Sequence, residues 1–166
     1  MKKAQAALEY LFTYGWAFFG ILIVISALFY FGIFDFSSLQ PEKCEFPNEI
    51  YCKDYIVFKG TGNYGINLSV VNNFGFDVNI SNINFTSDSG FACNSIFANG
   101  TQLYPTPADF RWPDGEKISI YGTDCNNKEK VLNKKTGVNV RIDFYDPRSG
   151  KSYMHTIRGY VFSKVQ

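Results

Sequence analysis

Residues 138–145 read VNVRIDFY, and their apolar and polar side chains alternate. Because successive side chains of a β-strand point to opposite faces of the sheet, this alternation predicts a strand with one buried face. Similar runs lie on both sides of it and cover residues 55–58, 66–71, 78–80, 83–85, 118–120 and 153–165. The alternation changes phase after residue 80, which predicts a β-bulge near Ser81 and Asn82.

Turn sequences separate several of these runs. The clearest are NNFG at residues 72–75 and PRSG at residues 147–150, which combine residues that favour tight turns. About six to eight short strands with such turns are typical of an all-β, immunoglobulin-like sandwich. We therefore expect a β-sandwich over residues 44–166.

The N-terminal part of the chain has a different pattern. It carries no charged residue over the 25 positions from Tyr10 to Phe34. A helix of that length is about 37 Å long, which exceeds the roughly 30 Å of bilayer hydrocarbon. A cleaved secretory signal has a shorter apolar region, and a buried helix of a soluble protein seldom has this length without charge. The run therefore predicts a retained membrane helix, with Lys2 and Lys3 on the cytoplasmic side and the rest of the chain outside.

The expected fold class is thus α+β, with one long N-terminal transmembrane or filament-core helix followed by an all-β immunoglobulin-like sandwich head. Pro41 disfavours helical geometry at the preceding residue. The expected domains are a hydrophobic helix at residues 5–38, a linker at 39–43 and an extracellular β-sandwich domain at 44–166.

Glu9 lies at the start of the apolar run. A carboxylate near hydrocarbon is costly unless it is paired or lies at the interface. One interpretation places Glu9 in the headgroup region, near a helix N-terminus that favours negative charge. The other gives it a cationic partner on a second subunit. The sequence leaves both open.

Residues 2–11, KKAQAALEYL, resemble the leader of archaeal type IV pilin-like precursors with class III signal peptides, and YGWA at 14–17 is similar to that group as well. The resemblance implies a leader peptide of residues 1–4, cleaved by a prepilin peptidase between Ala4 and Gln5. The new amine of Gln5 then becomes a partner for Glu9 of a neighbouring subunit during assembly. Two positions depart from the pattern, since Ala4 replaces the common Gly and Ala7 the common Ser or Thr.

The four cysteines, Cys44, Cys52, Cys93 and Cys125, all follow the apolar run. An even number of cysteines in an exported domain predicts disulfides. Three pairings are possible, and we favour Cys44–Cys52 with Cys93–Cys125, because the first closes a short loop around Pro47 and the second ties two long loop regions together. Free thiols remain an alternative. A zinc site is disfavoured because no pair has the two-residue spacing typical of such sites.

Four N-glycosylation sequons begin at Asn67, Asn79, Asn84 and Asn99. The alternation places the first three on the solvent side of their strands, where a glycan must lie. The alternative is that exposed strand faces are simply rich in Asn, Ser and Thr. We expect at least one glycan on an exported chain.

Several functions are excluded or unsupported. With 16 basic and 15 acidic residues and a net charge of +1, the chain is not a strongly basic nucleic-acid binder. GKS at residues 150–152 lacks the first glycine of a phosphate loop, and His155 has no visible nucleophile beside it. Trp112 is expected in the core, the alternative being an exposed ring that stacks on a sugar. No catalytic residue, cofactor or metal site is predicted, and we expect no enzyme.

The expected function is a structural subunit of an archaeal type IV pilus-like surface filament, a helical homopolymer used in adhesion. Its partners are other copies, the prepilin peptidase and, before assembly, the membrane. The precursor is expected in the cell membrane with a cytoplasmic N-terminus, and the mature form in an extracellular filament. The alternative is a single-pass, membrane-anchored extracellular binding module, or a minor pilin-like subunit that does not polymerise alone.

Overall fold

The computed structural model describes residues 2–31, 40–60, 62–87, 90–106, 108–126 and 135–166, with side chains for all of them except 2–11 and 13. The chain divides into two compact units, Met1–Gln40 and Pro41–Gln166. The described residues form one helix and ten strands. These are α1 Lys2–Tyr30, β1 Lys43–Glu45, β2 Ile50–Lys59, β3 Tyr64–Asn72, β4 Val78–Thr86, β5 Ala92–Ala98, β6 Thr101–Tyr104, β7 Phe110–Trp112, β8 Lys117–Asn126, β9 Lys135–Tyr145 and β10 His155–Lys164.

The N-terminal unit contains α1. Among the residues whose side chains the structure describes, no helix is both long and apolar enough to cross a membrane. The prediction of a transmembrane helix is therefore wrong.

The second unit is a single sheet. Its described strands pair in the order β1–β10–β9–β4–β5–β8–β3–β2, with β6 paired to β5 and β7 paired to β4. The prediction of an immunoglobulin-like sandwich is therefore wrong as well. A sandwich has two separate sheets, whereas here the pairing of Thr86 with Ala92 joins β4 to β5 within one sheet. Alternation in a sequence shows which face of a strand is buried, but it does not show which strands are neighbours.

The two ends of this strand order lie against each other. A disulfide joins Cys44 of β1 to Cys52 of β2, although these strands are at opposite ends of the order. The backbone of Gln166 also donates to Val57 O at 3.1 Å and accepts from Lys59 N at 2.8 Å. The sheet thus curls until its edges meet, which encloses one apolar core.

The alternation in the sequence is confirmed in β9, where the side chains of Val138, Val140, Ile142 and Phe144 are all buried. The phase change is confirmed too, because the register between β4 and β9 shifts between Ile80 and Asn82. The bulge keeps apolar side chains in the core on both sides of it, with Ile80 and Ile83 both fully buried.

Candidate functional site

The predicted cleavage and assembly residues lie near the N-terminus of α1. Ala4, Gln5 and Glu9 belong to its helical backbone, and their side chains are outside the described set. Cleavage before Gln5 and the pairing of Glu9 therefore stay predictions.

Farther along α1, apolar side chains are exposed on every side of the helix. At about 100° per residue, Phe12, Trp16 and Ile23 share one face and Ile21 lies on the opposite face. Trp16 is 77% exposed and Ile21 57% exposed. A helix that is apolar on all sides is normally buried. The apolar side chains of α1 are exposed in the single chain, so this surface is suited to contact with another apolar partner.

One face of α1 contains a hollow above Gly15. The hollow measures about 520 Å³ and is bordered by Phe12, Trp16, Phe19 and Ile23. Apart from its two neighbouring residues and the nearby backbone of α1 itself, a Cβ atom added to Gly15 would meet no atom within 4 Å. The hollow is therefore large enough to receive a side chain from another helix.

The four cysteines form two disulfides, Cys44–Cys52 and Cys93–Cys125. Both pairs of the favoured pairing are thus present, and the described chain has no free thiol. Cys93 and Cys125 lie directly opposite each other on β5 and β8. Because disulfides form and persist in oxidising compartments, they indicate an extracellular or secreted protein.

The four sequons differ in accessibility. Asn84 on β4 and Asn99 in the β5–β6 turn are exposed, whereas Asn67 and Asn79 are half-buried. The Asn79 amide donates from Nδ2 to Tyr145 Oη at 3.1 Å, so the atom that would carry a glycan is already engaged. The side-chain oxygen Oδ1 of Asn99 accepts from Ser119 N at 2.8 Å, which leaves the side-chain nitrogen Nδ2 outside that bond.

A polar groove that the sequence analysis did not identify lies where β7, β4 and the end of β9 run side by side. Within β4, Asn79 is opposite both Arg111 of β7 and Tyr145 of β9. The cavity measures about 520 Å³. We call it the arginine groove, and it is lined by Phe76, Asp77, Asn79, Arg111, Asp146, Pro147 and Arg148.

On one side of the arginine groove, Asp77 fixes Arg111. The guanidinium donates to Asp77 Oδ2 from Nη2 at 2.7 Å and from Nε at 3.2 Å. The other carboxylate oxygen accepts from Asp114 N at 3.1 Å. These hydrogen bonds, first that from Arg111 and then that from Asp114, hold the pKa of Asp77 below its usual value.

On the other side, Asp146 fixes Arg148 through a tight turn. Asp146 Oδ1 accepts from Arg148 N at 2.8 Å, and Oδ2 accepts from Arg148 Nη2 at 2.7 Å. Hydrogen bonds from the side chain and backbone of Arg148 lower the pKa of Asp146. The Arg148 guanidinium carbon lies 5.5 Å from the centre of the Phe76 ring, a favourable cation–π arrangement.

A hydrogen-bonded chain continues from the arginine groove. Tyr145 Oη accepts from Asn79 and donates to Asp109 Oδ2 at 3.2 Å, and Asp109 Oδ1 accepts from Lys151 Nζ at 3.1 Å. Tyr145 itself is buried. The side-chain amide of Asn79 is therefore held in one orientation by Tyr145, which is itself held by Asp109.

Part of this groove is indicated by the sequence. The sequence PRSG at 147–150 predicts a turn, and the structure confirms it with Gly150 at φ +81°. The three residues of β7 are too few for alternation to be recognised. Trp112 lies in that strand and is fully buried, with Nε1 donating to Glu116 O at 2.8 Å, so the sugar-stacking alternative for this ring is excluded.

Within the described residues, no group of three or more His, Cys, Asp or Glu side chains is arranged to hold a metal ion. No protein-family model matches the chain, and no curated protein matches it.

Proposed function

We propose that the chain is a structural subunit of an archaeal type IV pilus-like surface filament that serves in adhesion. A prepilin peptidase at the cell membrane removes residues 1–4, and the mature subunits assemble through α1 into a helical homopolymer outside the cell. The observation that carries this proposal is the exposed apolar surface of α1, which directly follows a class III type leader sequence.

The driving force for assembly is burial of that surface against other copies of α1. Covering one large apolar side chain contributes about 1.5–3 kcal/mol, and α1 exposes more than ten such side chains. Close approach of helices is favoured where a small residue faces a large one, and the hollow above Gly15 offers such a position to Phe or Ile of a neighbouring copy.

Cleavage also changes the charge at the helix terminus. It removes Lys2 and Lys3 and creates a cationic amine at Gln5. A salt bridge between this amine and Glu9 of the next subunit would set the axial register, because a carboxylate inside an apolar assembly requires a partner. Glu9→Ala should therefore leave export and cleavage intact and reduce the number of filaments.

The decisive experiment is the intact mass of the native protein, measured before and after reduction and glycan removal, together with electron microscopy of the surface fraction. A mass loss that matches residues 1–4 and subunits found in filaments would support the proposal. An unprocessed N-terminus would overturn it. Glu9→Asp, which keeps the carboxylate, is the matched control for Glu9→Ala in the same strain.

A second candidate is a binding module that is displayed at the surface and does not polymerise. The arginine groove favours this candidate, because fixed polar side chains around a cavity are typical of a ligand site. Gentle detergent extraction separates the two, since a polymer sediments or gives a ladder of sizes, whereas a module remains a small complex.

A further inference from the structure

We propose that the arginine groove is a binding site for a neutral saccharide. This inference is independent of the filament proposal, because it rests on the β unit alone and applies equally to a polymerised subunit or to a single displayed module.

The first argument is size and shape. The groove measures about 520 Å³, which lies within the range of about 300–1,000 Å³ for small-molecule sites. A monosaccharide or disaccharide unit fits such a volume, and the open side of the groove leaves room for the rest of a longer glycan.

The second argument is the supply of hydrogen-bonding groups. Arg111 and Arg148 are 72% and 75% exposed in their side chains. Each uses Nε and Nη2 on its aspartate, and neither Nη1 has a protein partner in the described part of the chain. Each free Nη1 therefore presents two N–H donors on the side of the guanidinium that faces away from the bound carboxylate. The hydroxyl oxygens of a sugar can accept from these donors.

The third argument is preorganisation. Asp77 is held by Asp114 N, and Asp146 is held by Arg148 N, so the carboxylates that orient the two guanidinium groups are themselves fixed. Ordering a long flexible side chain on binding costs about 0.5–1.5 kcal/mol. Arginines that are already fixed avoid most of this cost, which matters for ligands that bind weakly.

The fourth argument is an apolar surface beside the polar groups. Phe76 and Pro147 line the same groove, and Phe76 packs against the core on its inner side. The C–H faces of a pyranose ring are apolar and pack against such side chains, while its hydroxyls face the arginines and aspartates.

The charges that line the arginine groove favour a neutral ligand. The lining contains two arginines and two aspartates, and each arginine already has its counter-ion. Because each guanidinium is already balanced by its aspartate, the lining has little net charge to attract an anion or a cation. A polyhydroxyl ligand adds hydrogen bonds without displacing either pair.

The experiment is saturation-transfer difference NMR on the full chain, which also works on large assemblies. The probes are the methyl glycosides of glucose, galactose, mannose and N-acetylglucosamine, with glucuronate and inorganic phosphate as charged counterparts. At least one neutral glycoside should bind at concentrations up to about 20 mM, the weak affinity expected for a few hydrogen bonds.

Variants locate the site. Arg111→Ala and Arg148→Ala should each weaken binding about tenfold, since each removes a paired donor group. Arg111→Lys should weaken it similarly, because Lys keeps the charge but loses the planar fork. Arg158→Ala removes an exposed arginine of β10 and is the matched control that should bind normally.

Three results would overturn the proposal. In the first, none of the four neutral glycosides gives a signal. In the second, only glucuronate or phosphate binds, which would make the groove an anion site. In the third, Arg158→Ala reduces binding as much as the groove variants do. Circular dichroism of each variant separates loss of the site from loss of the fold.

Discussion

The amide of Asn79 donates a 3.1 Å hydrogen bond to the hydroxyl of Tyr145, although Asn79 begins a perfect glycosylation sequon. The third residue of that sequon, Ser81, is buried and donates from Oγ to Asp143 O at 3.1 Å. In the sequon at 84–86, by contrast, both Asn84 and Thr86 are exposed. In the folded β unit, the sequon that begins at Asn84 is therefore exposed, and the sequon that begins at Asn79 is largely buried.

The first prediction concerns glycan occupancy. An enzyme that modifies the folded β unit should attach a glycan at Asn84 and leave Asn79 unmodified. Mass spectrometry of proteolytic glycopeptides from the native protein measures both sites at once. Asn84→Gln should remove one glycan mass, and Asn79→Gln should remove none. A glycan found on Asn79 would contradict this ranking and would also fill the arginine groove.

The second prediction concerns Asp143, which is only 5% exposed. Its Oδ1 accepts from Thr156 Oγ1 at 2.6 Å and from Arg141 Nε at 2.9 Å. Burial alone would raise the pKa of Asp143, but the hydrogen bonds from Thr156, Arg141 and Asn82 outweigh burial and hold the pKa below its ordinary 3.8. Asp143→Asn removes the charged acceptor and should lower the free energy of unfolding by about 2 kcal/mol at pH 7.

The contribution of Asp143 to the free energy of unfolding should depend on pH. A carboxyl with a lowered pKa in the folded state stabilises the fold fully above its unfolded pKa, and that contribution is lost as the pH falls through the folded pKa. The difference between wild type and Asp143→Asn in urea denaturation should therefore shrink below about pH 4. Asp54→Asn, at an exposed carboxylate, is the control and should stay within about 0.5 kcal/mol of wild type. An equal difference at pH 7 and pH 2.5 would argue against this role.

The local features of the β unit were predictable from the sequence. The phase change between Ile80 and Ile83 located the bulge, and the strands around 55–58, 66–71 and 138–145 are present. These features depend on neighbouring residues, whose side-chain periodicity is visible in one segment at a time.

The long-range features were not predictable in the same way. Lys43–Glu45 pairs with residues more than a hundred positions away in β10. The pairing of Thr86 with Ala92 joins β4 to β5, so that the strands form one sheet and not two. Arg111 and Arg148 share a groove only because β7 and β9 flank β4. Asp143 occupies a polar position in the alternation of β9, yet it is buried because Thr156 and Arg141 satisfy its carboxylate. Nothing in its own segment indicates those partners.

The third prediction concerns the two disulfides. They close loops with sequence separations of 8 for Cys44–Cys52 and 32 for Cys93–Cys125. Since a disulfide restricts the unfolded chain more when the loop is longer, the paired Cys→Ala variants should lose about 2.5 and about 3.5 kcal/mol respectively. Urea denaturation of each variant under oxidising conditions measures the loss. A larger loss for Cys44 and Cys52 would show that joining the two ends of the sheet matters more than loop length.

The fourth prediction tests the surface of α1. Gly15→Leu places a branched side chain in the hollow bordered by Phe12, Trp16, Phe19 and Ile23. Because a Cβ at Gly15 meets no atom within 4 Å apart from its two neighbouring residues and the nearby backbone of α1 itself, the substitution should leave the unfolding of the β unit unchanged. Leu is also a better helix former than Gly by about 0.8 kcal/mol, so α1 itself should not be weakened. Any loss of assembly must then come from a contact with another molecule.

The measurement is the fraction of protein that sediments as filaments, compared between wild type, Gly15→Leu and Lys117→Leu. The last variant places the same side chain at an exposed position of β8 and controls for a general effect of added apolar surface. We expect Gly15→Leu to reduce the filament fraction several-fold, because a side chain already in the hollow obstructs the entry of one from a neighbouring helix. Filaments of normal number and length in Gly15→Leu would show that the hollow is not a packing site, and equal losses in both variants would assign the effect to nonspecific aggregation.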